Sequence, residues 1–94
     1  MQNINTPTGA AQYLCATALR RLSDALGGSQ DDFDYIRRNA DDQVFGASRY
    51  CGLVGHEDAY VLLKSVSDAL TGEAMHDDPA AEIARLVALV EGKS

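Results

Sequence analysis

The run from Ser29 to Gly55, SQDDFDYIRRNADDQVFGASRYCGLVG, decides how this chain folds. Ser29 and Asp32 precede an apolar series in the form of a capping box, in which a hydroxyl and a carboxylate satisfy free helix amides reciprocally. Phe33, Ile36, Ala40, Val44, Ala47, Cys51 and Val54 then recur at intervals of three and four residues. That is the period of an α-helix with one face against a core. The phase holds across more than six turns and predicts one long helix. Gly46 and the stretch Asn39 to Asp42 weaken it, and Asn39 offers a cap for a separate second half.

On the amino-terminal side, Thr6-Pro7 supplies a capping hydroxyl followed by proline at the first helical position. Ala11, Leu14, Cys15, Ala18, Leu19, Leu22, Ala25 and Leu26 form one stripe from there, and Gly27-Gly28 is expected to close the helix in the left-handed conformation. On the carboxyl side, Gly55-His56-Glu57 reads as a tight reversal. A third stripe follows in Ala59, Leu62, Leu63, Val66, Ala69 and Leu70, ended by Gly72. Glu73 to Asp77 reads as a loop. Asp78-Pro79 repeats the cap-plus-proline start, and Ile83, Leu86, Val87 and Val90 lead a last helix to Gly92. Ala84, Ala88 and Leu89 widen its apolar surface beyond one face, which predicts burial between two layers or against a second subunit.

The fold class expected is therefore all-α: a single domain over residues 1–94, with a flexible segment over residues 1–5. It is a small bundle of about four helices built on an antiparallel hairpin of the first two. The 94 residues leave no room for a second core, and 46% hydrophobic with 23% charged residues are ordinary globular values. No apolar run approaches the roughly 20 residues that span a bilayer. No secretory signal is legible, and Cys15 and Cys51 belong to no paired motif, so a reducing cytoplasmic setting is expected.

A formal net charge of −6 opposes the phosphate contacts on which nucleic-acid affinity mostly rests, and it opposes anionic membrane surfaces too. Leu22 to Asp31 has the outline of a helix-turn-helix, but Asp31, Asp32 and Asp34 occupy the start of the would-be recognition helix, only partly offset by Arg37 and Arg38. Acidic mimicry of nucleic acid by Asp31, Asp32, Asp34, Asp41 and Asp42 is a variant of that alternative. A calcium loop would need oxygen ligands at alternating positions, a glycine and a distal glutamate, and the Asp32 segment lacks that continuation. Zinc would need convergent, closely spaced ligands, whereas Cys15, Cys51, His56 and His76 are singletons. No phosphate-binding glycine loop, nucleophile–base pair or carrier-type Asp-Ser-Leu motif is present, so no catalytic role, metal or cofactor is expected.

What remains is a face. At 100° per residue, Tyr35, Arg38, Asp42, Phe45, Arg49 and Leu53 fall on the side of the long helix away from its core stripe. Tyr13, Thr17, Arg20 and Asp24 do the same on the first helix. Aromatic and arginine side chains are what interface cores favour. The plainer reading is scattered surface residues with an intrahelical Arg38–Asp42 ion pair, or a Phe45 turned into the core by a break near Asn39. The expected role is a small acidic protein-binding regulator or inhibitor acting stoichiometrically on another protein, itself a homodimer. A pocket for a small ligand between helices is a further alternative.

Overall fold

The computed structural model describes residues 5–92; of the flexible segment expected over residues 1–5, all but Asn5 lies outside the described residues. Five helices follow in order: α1 (Pro7–Ala25), α2 (Gln30–Val54), α3 (Glu57–Leu70), α4 (Glu73–Asp77) and α5 (Pro79–Glu91). No strand occurs among the described residues, so the chain is an all-α bundle.

Helix α2 is continuous through Asn39 and Gly46. Its 25 residues rise about 37 Å at 1.5 Å each, close to the molecule's longest extent of 38 Å. Local propensity at Asn39 and Gly46 costs on the order of 1 kcal/mol per residue. Burial of the stripe on both sides of the weak point outweighs it, because Phe33, Ala40, Val44 and Cys51 all enter the core. Ser29 Oγ accepts the Asp32 N–H at 3.1 Å at the start. Gly55 ends the helix with φ 82°, a left-handed conformation that a Cβ would strain.

Helix α2 makes its most extensive packing against α3, while α1 packs on α2, α3 and α5. The start of α1 (Pro7, Ala10, Leu14) shares a cleft with the end of α2 (Ala47, Tyr50, Cys51). The α2–α3 seam is close: a Cβ built on Gly52 would lie 3.3 Å from the Tyr60 ring. Two polar ties fix its register. Ser67 Oγ donates to Asp41 Oδ1 at 2.7 Å, and Arg37 Nη1 donates to the Leu70 carbonyl at 3.3 Å. Gln12 Nε2 reaches the Val90 carbonyl at 3.3 Å and joins α1 to α5. The floor of the core is Leu19, Leu22, Leu63, Leu70 and Leu86, all essentially without solvent contact.

Several expectations are corrected. Glu73 to Asp77 is a short helix rather than a loop, because Met75 is buried and pins it to the core. Gly27 and Gly28 do not adopt the left-handed form: α1 ends at Ala25, and the chain leaves through tight turns in which Leu26 N–H donates to Ser23 O and Gly28 N–H to Ala25 O. Leu26 and Val54 lie at stripe ends with no helix to cover them and stay exposed. On α5, Ala84 and Leu89 face solvent, so the helix is not sandwiched between two layers of its own chain.

Candidate functional site

The outward side of α2 is built by the same geometry that builds the core. Ala40, Val44, Ser48 and Cys51 point inward, and these small side chains let α2 approach its neighbours closely. Phe33 and Ile36 near its start are the large side chains that α2 turns to the core; several other large ones lie on the opposite side. Tyr35 is 67% exposed, Phe45 44% and Leu53 85%, with Arg38, Asp42 and Arg49 exposed among them. All six predicted α2 residues therefore lie on one free face. Because α2 does not break at Asn39, Phe45 does not rotate into the core. Each large apolar group kept in water forgoes roughly 1.5–3 kcal/mol that burial would supply.

The charges on this face have no ion-pair partners among the described residues. The Arg38–Asp42 ion pair expected along the helix does not form; the ion pairs among the described residues are Arg37–Asp34, Lys64–Asp68 and Arg85–Glu82. Gly46 lies on the same face with nothing within 4 Å of a built Cβ. In the sequence it registers only as a weak point of the helix. On α1, Tyr13 and Arg20 are exposed as expected. The outward faces of α1 and α2 adjoin where Asp24 and Tyr35 line one groove.

The acidic residues do not make a single row. Asp34 accepts from Gln30 Nε2 at 3.2 Å, and Asp41 turns toward α3 to accept from Ser67. Asp31 and Asp32 sit in the first turn of α2, Glu57 and Asp58 in that of α3, and Asp78 caps α5 by accepting the Ala81 N–H at 3.3 Å. There a carboxylate meets free amides and the positive end of the helix dipole.

Among the described residues no group of three or more His, Cys, Asp or Glu side chains is placed to hold a metal ion. Both cysteines are free and buried. Burial pushes the Cys15 thiol up to about 12, which leaves it protonated and unreactive near neutral pH. Glu82, on the inward side of α5, is the charged residue that sequence reasoning missed in the core. Arg85 Nε and Nη2 donate to its two carboxylate oxygens at 2.6 and 3.0 Å, and these bonds hold its pKa below the usual glutamate value. Nothing in the local pattern distinguishes it from an ordinary surface Glu–Arg pair.

Two clefts bear on the small-ligand alternative. One, of about 560 Å³, lies where α2 begins and α3 ends, between Gln30, Asp34, Arg37, Thr71 and His76 over a floor of Phe33, Leu70 and Met75. Its strongest donor, Arg37, is already committed to the Leu70 carbonyl and flanked by Asp34. The other, of about 390 Å³, is mostly apolar, with Ala11, Leu14, Cys51 and Leu63 inside and Tyr50 and His56 at its edge. Neither brings convergent unpartnered polar groups together, as sites for small molecules do.

No protein-family model, no characterised protein and no solved structure matches this chain. The functional reading therefore rests on the chain's own residues.

Proposed function

We propose that this chain is a small acidic protein-binding regulator, an inhibitor or antiactivator that acts by stoichiometric occupation of another protein's working surface. The contact is made by Tyr35, Arg38, Asp42, Phe45, Arg49 and Leu53 of α2, with the exposed Tyr13 and Arg20 of α1 as further candidates. The observation that supports this reading is the size pattern of α2 beyond its first turns: after Phe33 and Ile36 the inward residues are small, while aromatic, leucine and arginine residues lie outside. An isolated exposed aromatic is ordinary, but Tyr35, Phe45 and Leu53 on one face of a continuous helix, interleaved with Arg38 and Arg49, have the composition of an interface core.

Such a role needs no catalytic residue, and the net charge of −6 suits a basic partner surface. No helix among the described residues is long and apolar enough to cross a membrane. Two free, buried thiols suit a reducing, cytoplasmic compartment. Self-association belongs to the same reading, since a 94-residue chain has a small core and leaves the α2 face and Leu89 of α5 uncovered. The test is affinity capture with the immobilised chain and with Phe45→Asp. Proteins held by the first and lost by the second support the reading, and identical profiles remove it. A shift of duplex DNA at low salt by the wild-type chain would replace it with the nucleic-acid alternative.

A further inference from the structure

The α2 face carries a pattern that fits a copy of itself. We infer that two chains pair through α2 in an antiparallel, two-fold arrangement centred between Phe45 and Gly46, with Asp42 of each facing Arg49 of the other. This deepens the reading of α2 as a binding face and rests on it.

Four features of the face support the pairing. Asp42 and Arg49 are seven residues apart, two helical turns, and on the wheel they share the middle of the exposed side. In an isologous contact each residue meets its own symmetry mate's counterpart. Placing the two-fold axis between Phe45 and Gly46 therefore sets Asp42 opposite Arg49 twice, with opposite charges in both places. Neither side chain has an ion-pair partner among the described residues, which leaves both to make these contacts. The same register brings each Phe45 ring level with the other chain's Gly46, where a built Cβ meets nothing within 4 Å. A ring can settle there against bare backbone. Farther out, Arg38 lies level with Leu53, whose exposed side chain can be covered by the arginine's aliphatic stem while the guanidinium stays in water.

No other register centred on this face does as well. Moving the axis one turn toward the amino terminus sets Asp42 near its own symmetry mate, and moving it one turn the other way does the same to Arg49. Like charges then meet at the centre. The chain's own charge order thus selects one antiparallel register, as charged flanks do in paired helices generally. A dimer formed this way covers Phe45, so pairing and partner capture compete for one surface.

The experiment is sedimentation equilibrium on the full chain and four variants. The wild type is expected to show a concentration-dependent dimer. Asp42→Arg and Arg49→Asp each place like charges at both contacts and are expected to raise the dimer dissociation constant at least tenfold. The double variant Asp42→Arg/Arg49→Asp restores opposite charges and should return it to within about threefold of wild type. Gly46→Leu should weaken the dimer while leaving the helical circular-dichroism signal intact, because the position is open in the single chain. A wild type that stays monomeric to millimolar concentration overturns the pairing, as does a double variant no tighter than the single ones. The capture comparison with Phe45→Asp, scored on proteins other than the chain itself, separates the failure of the pairing from that of the regulator reading. A monomeric wild type leaves it standing, whereas a rescued dimer with no capture difference retains the pairing and removes the regulator.

Discussion

The two sides of α2 are made of the same helix and obey opposite rules. Inward, beyond Phe33 and Ile36 near its start, lie Ala40, Val44, Ser48 and Cys51, small enough for α3 to approach until the Tyr60 ring nears Gly52. Outward lie Tyr35, Phe45 and Leu53, larger than what the core takes from the middle of this helix. A helix selected only for stability would bury its large groups and leave alanine and serine outside. The inner side is shaped by helix packing; on the proposed function the outer side answers to contact beyond the fold of one chain.

Neighbouring positions make this contrast measurable. Val44→Asp puts an unpaired carboxylate among Leu and Val side chains and is expected to cost more than about 4 kcal/mol, enough to prevent folding at this chain length. Chemical denaturation and circular dichroism will show it. A Val44→Asp protein that melts like the wild type would break the contrast at its inner side. Met75→Ala should cost about 2–4 kcal/mol in urea unfolding, because the side chain is buried and holds α4 on the core. A loss below about 1 kcal/mol would mean that α4 is a surface loop in all but hydrogen bonding.

A smaller effect is expected at Glu82. Its folded pKa is lowered by the Arg85 hydrogen bonds, so its contribution to stability is present above the ordinary glutamate value. That contribution fades as pH falls through the ordinary value toward the lower folded one. The stability difference between wild type and Glu82→Gln should therefore be largest near neutral pH and shrink toward pH 3. Arg85 is 60% exposed and screened by solvent, which keeps the difference small. A difference that grows in acid would reverse the assignment.

How much of this was legible in the sequence follows from where the signal lies. The stripes of α1, α2, α3 and α5 repeat over three or more turns, and such periodicity survives local weak points like Asn39. Helix α4 has five residues and one apolar anchor, Met75, too little to show a period. Ser48, Ser67 and Glu82 are buried because each finds a partner, in the Phe45 carbonyl, Asp41 and Arg85 respectively. A partner from another helix, or a bond back to the backbone, leaves no mark in local pattern, and the Glu82–Arg85 spacing is shared by ordinary surface pairs. Leu26 and Val54 kept the period but not the burial, since only packing reveals where a helix outruns its neighbours. The outer face of α2 was readable as the complement of its stripe. The partner proposed for it was not, because a surface records the shape and charge it offers and not the name of what it would meet.

The central claim is that Phe45 and its neighbours serve contact with another protein rather than the fold. The direct measurement is a titration of the captured partner with wild type and with Phe45→Asp, each checked by its thermal melt. Phe45→Asp is expected to melt within about 0.5 kcal/mol of wild type, as surface changes do, while its dissociation constant rises at least about 30-fold, the scale of a hot-spot residue. A Phe45→Asp chain that unfolds, or one that binds its partner as tightly as the wild type, would contradict the account.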